Sequence, residues 1–184
     1  RYMVYRPIVV IAGEPNSIFS EIFFKSLKNK NFRSPIVLIA SKNLIELQMK
    51  KLKIKKKIRL ITLENLKKNY LDNKKINLLN VSYNQKKAFD KISNKSNKYI
   101  KESFDIALKI LNQKITNKLI NGPISKKFFL KKKYLGITEY LAYKTGTKNY
   151  AMLIYNKNLS VCPLTTHLPL KKVSKQINKN IIRK

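Results

Sequence analysis

Cysteine and histidine occur once each in this chain, as Cys162 and His167, and aspartate and glutamate together supply only nine residues. A lone cysteine excludes a disulfide framework and any CxxC metal knuckle, and it fits a reducing compartment. With no second histidine, the residue types that close a transition-metal shell are scarce. Long apolar runs are missing too. Nothing approaches the roughly 18 apolar residues of a membrane span. The run PIVVIA (7–12) is too short for a secretory signal core and leads straight into a turn. These absences set the expectation of a soluble, cytoplasmic protein with no membrane partner.

Positive charge is what the chain has in excess, with a formal net value of +32. Its distribution does not outline one shaped surface. Lysine and asparagine recur in nearly every segment, as a drift toward the codons of an AT-rich genome produces, although KKLKIKKKIR (50–59) and KKFFLKKK (126–133) are dense. Such charge bears on solubility and non-specific binding before it bears on function. No nucleic-acid motif or aromatic-interleaved basic face is visible, so nucleic acid is not an expected partner. A length of 184 residues allows one domain or two small ones. A compact fold of that size buries about 70% of its unfolded surface.

Hydrophobic periodicity then outlines the elements. Residues 7–12 form a short, partly β-branched run ended by Gly13 and Pro15, which predicts a buried strand. Ile18, Ile22 and Leu27, with Phe19 and Phe23, follow at helical spacing, and Asn16 or Ser17 is placed to cap that helix. SPIVLIAS (34–41) predicts a second strand, with a helix following at Leu44, Leu47 and Met49, and KIRLITL (57–63) a third strand. Residues 64–95 are polar, with a weak strand signal at INLLNVS (76–82), and predict an irregular or edge region. A strong helical period runs from Tyr99 to Ile115, and KLIN (118–121) predicts a strand into Gly122-Pro123. NYAMLIYN (149–156) and LSVCPLTT (159–166) read as a β-hairpin that buries Cys162 and places His167 at a strand end. Leu170, Val173, Ile177 and Ile181 predict one last helix with an apolar face. The strand–helix rhythm predicts an α/β layered fold with a largely parallel sheet. The abrupt start at Arg1 and end at Lys184 suggest a piece of a longer polypeptide.

Three loops follow strands, where α/β folds place their chemistry: AGEPNS (12–17), NGPISK (121–126) and TTHLPL (165–170). The first passes through glycine into a helix N-terminus, a geometry that can receive a phosphate. In the second, Pro123 fixes the turn and Lys126 projects from the next helical turn, able to neutralise a phosphate or to face solvent. His167 in the third is either a metal ligand or a structural imidazole.

NGPISKKFFLKKKYLGITEYLAYKTGT (121–147), YAMLIYNKNLSVCPLTTHLPLKKV (150–173) and VVIAGEPNSIFSEI (9–22) together resemble the 4-hydroxythreonine-4-phosphate dehydrogenase family of vitamin B6 biosynthesis. The resemblance carries a Gly-Pro-x-x-Lys turn, a Gly-x-Thr-Glu box, a Thr-Gly-Thr and a Thr-Thr-His-Leu-Pro-Leu string in the family's order, and runs from about Pro7 to Ile177. It implies the α/β/α layered fold of the isocitrate and isopropylmalate dehydrogenase type, with residues 1–184 forming the N-terminal portion of a two-domain chain. It implies oxidation of 4-phosphooxy-threonine by NAD or NADP, then decarboxylation, with a divalent metal (zinc, magnesium or cobalt) as Lewis acid. His167 would be one of three histidine ligands, Thr138 a substrate contact, and Lys126 a weaker substrate-binding candidate. The complete enzyme would be a homodimer acting on a small phosphorylated hydroxy-amino acid.

The chain departs from the family pattern at telling positions. Ile137 stands where the family carries a substrate-binding histidine and offers no hydrogen bond. Ser17 and Phe19 replace glycines of the first loop. The other two metal histidines and most of the cofactor pocket are expected outside these residues, so the isolated chain is expected to be inactive. Three alternatives stay open: a related dehydrogenase for another phosphorylated hydroxy acid, an inactive scaffold that binds an acidic partner or nucleic acid, and a structural half with a separately encoded complement.

Overall fold

The computed structural model describes residues 5–29, 31–68 and 71–183. The chain divides into two compact units, Arg1–Phe129 and Leu130–Lys184. The first is built on a five-stranded sheet of β1 (Ile8–Ile11), β2 (Ile36–Ala40), β3 (Ile58–Leu60), β4 (Ile76–Asn80) and β5 (Leu119–Asn121), in the order β3-β4-β2-β1-β5. Every pairing is parallel. Four helices connect the strands: α1 (Phe19–Asn29), α2 (Lys42–Lys51), α3 (Leu63–Lys68) and α4 (Asn97–Asn112).

Both faces of the three inner strands are buried, as a parallel sheet requires. Val10, Ala12, Leu38, Ala40, Ile76 and Leu78 point one way and pack with Phe23 and Phe24 of α1 and Ile45 and Met49 of α2. Their alternates Val9, Ile11, Val37, Ile39 and Leu79 are equally buried, and α4 contacts β1 and β2. Helix α4 buries Tyr99, Ile100, Phe104, Ala107 and Ile110, a 3.6-residue stripe. The layered α/β fold expected from the strand–helix rhythm is the fold observed.

Several expectations change. INLLNVS is no edge: β4 lies between β3 and β2 with Ile76, Asn77, Leu78 and Leu79 all buried. Its signal is weak in sequence because Asn77 interrupts the apolar run. Its amide nitrogen nevertheless donates to the Ile36 and Asp72 carbonyls at 3.0 and 2.8 Å, while its buried Oδ1 has no hydrogen-bond partner among the described residues. The polar stretch also holds α3. In α1 the core face is carried by Phe23 and Phe24, while Ile22, and Ile18 just ahead of the helix, are exposed, because the sheet takes the aromatic side of the helix.

In the second unit, α5 (Ile137–Thr145) is stopped by Gly146 in the left-handed region at φ 66°, whose N–H bonds back to Tyr143 O. Tyr134 packs edge-on against Tyr140 with ring centroids 5.4 Å apart. The expected hairpin reduces to one antiparallel bridge, Ile154–Val161, and Cys162 beside it is exposed rather than buried. Two hydrogen bonds cannot hold two full strands without a covered face. The last helix is broken into α6 (Leu170–Gln176) and α7 (Lys179–Ile182), because Asn178 accepts from the Asn180 and Ile181 N–H groups and starts a new helix. No helix among the described residues is long and apolar enough to cross a membrane.

Tyr99 is almost wholly enclosed, and burial first, with the nearby Glu14 charge adding to it, pushes its phenol well above the ordinary value. The unfolded phenol ionises near about 10, so this contribution is intact below that pH and is lost as pH climbs toward the folded value. Denaturant titrations between pH 9 and pH 11 (roughly one unit either side of the free phenol) should show stability falling. Tyr99→Phe should flatten that fall by up to about 1.4 kcal/mol per pH unit; an unchanged slope would show that Tyr99 does not carry it.

Candidate active-site loops

The loops after β1 and β5 meet backbone against backbone. Gly122 N–H donates to Ile11 O at 2.7 Å, and Glu14 N–H donates to Pro123 O at 2.7 Å. Gly13 takes φ 74°, and a Cβ on it would press into the Pro123 carbonyl. A Cβ on Gly122 would press into the Ala12 carbonyl and lie 2.8 Å from the Phe19 ring. Glycine is therefore required at both positions by close approach, and at Gly13 by the left-handed backbone as well.

The N–H groups of Ala12, Glu14, Asn16 and Ser17 are already engaged, which weighs against the phosphate reading of AGEPNS. Ser17 Oγ donates to Glu14 O at 2.8 Å and accepts from Phe19 N–H at 3.2 Å, as a cap for α1. The Asn16 N–H donates to Glu14 Oε1 at 3.3 Å. Glu14 is 3% exposed. Its other carboxylate oxygen accepts from Ser96 Oγ at 2.9 Å, just ahead of α4. An anion arriving here would meet a carboxylate and occupied N–H groups, so the loop acts as a brace rather than a phosphate cradle.

Glu14 also shapes its neighbours. Tyr83 and Tyr99 lie with ring centroids 5.1 Å apart. The Tyr83 phenol is pushed above its ordinary range by burial first, then by the charges of Glu14 and Asp90. Motif reading does not single out this acid–hydroxyl group, because its members lie far apart in the chain. Glu14 within the AGEPNS loop is its one local signal.

The three named candidates lie on different supports. Lys126 is exposed at the head of a π-helical turn, Lys126–Leu130. Thr138 is half-buried in the first turn of α5, one residue past Ile137. His167 is exposed, and its backbone takes the left-handed conformation at φ 58° instead of ending a strand. That turn redirects the chain into Leu168-Pro169 and the start of α6, for which Pro169 is the N-cap. No side-chain hydrogen bond of Lys126, Thr138 or His167 is formed among the described residues, which leaves these groups available to a ligand.

A divalent metal does not fit these residues by themselves. Among the described residues, no group of three or more His, Cys, Asp or Glu side chains is placed to hold one. His167 supplies one nitrogen, where a zinc-type shell takes about four donors.

Residues 31–184 match the family described as pyridoxal phosphate biosynthetic protein PdxA. The chain is 33% identical over 179 residues to a 4-hydroxythreonine-4-phosphate dehydrogenase of Sulfurihydrogenibium sp. (strain YO3AOP1), covering 95% of this chain and 54% of that protein. It is 25% identical to the Wigglesworthia glossinidia brevipalpis enzyme of the same name, covering 96% and 53%. Among solved structures, a 4-hydroxythreonine-4-phosphate dehydrogenase from Klebsiella pneumoniae superposes with TM-score 0.82 at 21% identity, covering 99% of this chain and 56% of that one. One from Burkholderia phymatum gives 0.82 at 19%, covering 97% and 55%. The chain thus spans about half the length of the curated relatives it matches. With a motif order, a sheet and a family match that agree, the chain belongs to the PdxA family of pyridoxal phosphate biosynthetic proteins.

Proposed function

We propose that residues 1–184 form the N-terminal portion of a 4-hydroxythreonine-4-phosphate dehydrogenase, a cytoplasmic homodimer that oxidises 4-phosphooxy-threonine with NAD or NADP. The observation that carries this reading is the ordered set Gly122-Pro123, Lys126, Gly136-Ile137-Thr138-Glu139, Thr145-Gly146-Thr147 and Thr165–Leu170, on a chain that matches enzymes of that name over nearly its whole length. NAD or NADP, when bound, would supply the hydride acceptor for oxidation of the secondary alcohol, and the resulting β-keto acid would lose carbon dioxide.

This chain's residues bind and orient. The Thr138 hydroxyl can both donate to and accept from a substrate oxygen. Lys126 is a point charge for the substrate phosphate. Ile137 beside Thr138 leaves one polar substrate contact unmade. His167 offers an imidazole nitrogen on a turn whose left-handed backbone fixes where the ring emerges. A zinc, magnesium or cobalt ion is not closed by this one ligand, so no step is assigned to it within these residues.

The purified chain should reduce neither NAD nor NADP with 4-phosphooxy-threonine and added metal; turnover would overturn the half-site reading. Joined to the remaining part of the Sulfurihydrogenibium enzyme, it should gain metal-dependent activity, and His167→Ala should then cost at least about 100-fold in kcat/KM. Ile137→His in that chimera should lower KM about tenfold, the effect of one restored hydrogen bond to a charged group. A chimera that stays silent toward 4-phosphooxy-threonine but oxidises another phosphorylated hydroxy acid would move the substrate assignment.

A further inference from the structure

The turn after β5 carries Lys126 between two anchors, and both lead to the start of α4. At its near end, Pro123 O accepts from the Glu14 N–H at 2.7 Å, and the Glu14 carboxylate accepts from Ser96 Oγ at 2.9 Å. At its far end, Phe128 O accepts from Asn97 Nδ2 at 2.9 Å. Ser96 and Asn97 are adjacent, so one point of the fold holds the chain on both sides of Lys126. The start of α4 also borders a cleft with the segment after β4, lined by Lys86, Lys87, Lys91, Lys95 and Lys98. It is to the turn after β5, however, that the Asn97 amide is bonded.

Within the turn the backbone is closed on itself. The Phe128 N–H donates to Ser125 Oγ at 3.1 Å and the Phe129 N–H to Ser125 O at 2.9 Å. The Phe129 ring stacks on Phe104 of α4 with centroids 6.1 Å apart. Residues Lys126–Leu130 wind as a π-helical turn, a form that recurs at functional sites. Lys126 is exposed at its head. Its four-carbon stem is flexible, so what the fold can fix is the point from which that stem leaves the backbone.

The chemistry of Asn97 separates positioning from stability. Its Nδ2 is bonded to Phe128 O, while its Oδ1 is buried without a hydrogen-bond partner among the described residues. A buried acceptor left unpaired forfeits much of what one hydrogen bond contributes. An unsatisfied group of this kind calls for an explanation other than folding energy.

We propose that Asn97 is a positioning residue for the substrate phosphate: by holding the Phe128 carbonyl it fixes where Lys126 leaves the backbone, and so where the ammonium meets the phosphate. The proposal rests on Lys126 being the phosphate contact of the dehydrogenase reading. Asn97 acts through residues 126–128 and not by its own contact with substrate.

Hydrogen exchange on the full 184-residue chain tests the hold directly. Asn97→Asp keeps the shape but replaces the donating nitrogen by an acceptor, whereas Asn97→Ala removes both. Each should speed exchange of the Phe128 and Phe129 N–H groups by about tenfold or more, the loss of one hydrogen bond, with the Val37, Leu38 and Ile39 amides of β2 unchanged. In the chimera with the Sulfurihydrogenibium enzyme, both variants should raise KM for 4-phosphooxy-threonine by about threefold or more at a kcat within about twofold, because binding changes and the active fraction does not. Lys126→Gln should raise KM at least about tenfold. Asn97→Ala added to it should cost less than about twofold more, since the two act through one group. Unchanged exchange, an Asn97→Asp that matches the parent while Asn97→Ala does not, a fall in kcat with KM unmoved, or full additivity with Lys126→Gln would each overturn the proposal. Lys126→Gln with KM unmoved would overturn it by another route, removing the phosphate role of Lys126 while the exchange result stands.

Discussion

The close approach of Gly13 and Gly122 is the constraint on which the carboxyl end of the sheet depends. β5 is a three-residue edge strand, too short to place the following turn by pairing alone. Two backbone hydrogen bonds, from Gly122 to Ile11 and from Glu14 to Pro123, continue its attachment past the last paired residue. Such bonds need the two main chains nearly in contact, and a methyl group at either glycine would hold them apart. With solvent excluded from the gap, every donor and acceptor there has to find a protein partner.

From that contact the structure spreads outward through polar side chains. Glu14, fixed by its own N–H, turns its carboxylate to Ser96 at the start of α4. Asn16, two residues on, holds Gln85 and Asp90 of the segment after β4. Gln48 reaches up from α2 to Pro15 and Ala88 carbonyls at 2.8 and 3.1 Å. A buried carboxylate is costly unless it is hydrogen-bonded, and here one of the bonds that satisfy it also joins two segments distant in sequence, the loop after β1 and the start of α4. In a chain with only nine acidic residues, one of them is placed inside at this joint. The second unit is organised differently. Its motif string Thr165–Leu170 lies on largely exposed backbone, and Leu153, Tyr155, Leu159 and Leu170 are among its exposed apolar side chains.

Much of this was legible in the residues. β1 and β2 are short β-branched runs punctuated by glycine or a capping serine, and α4 has an apolar stripe of sixteen residues' length, so local pattern and final burial agree. β4 was obscured because Asn77 reads as polar until the distant Ile36 carbonyl and the nearer Asp72 carbonyl are found for its amide. The 149–166 hairpin failed for the opposite reason: alternation and a turn-like Asn156-Lys157-Asn158 satisfied the local rules, but no surface in the second unit buries those side chains. The candidates Lys126, Thr138 and His167 were found by motif order, whereas Glu14, Ser96, Tyr83 and the lysine-lined cleft were not. Their meaning comes from proximity across up to 82 residues of chain, which no local window contains.

By itself, then, the sequence determined the parallel α/β class, the family and the identity of its motif residues, because strand and helix periods and ordered short strings are local properties. Only the tertiary structure decided that β4 is interior and that Cys162 is exposed. It also decided that AGEPNS is a brace bonded to the turn after β5 and to the start of α4, and that five lysines line one cleft. Burial, hydrogen-bond satisfaction and charge clustering depend on which distant segments meet, and that is set by packing rather than by neighbours along the chain.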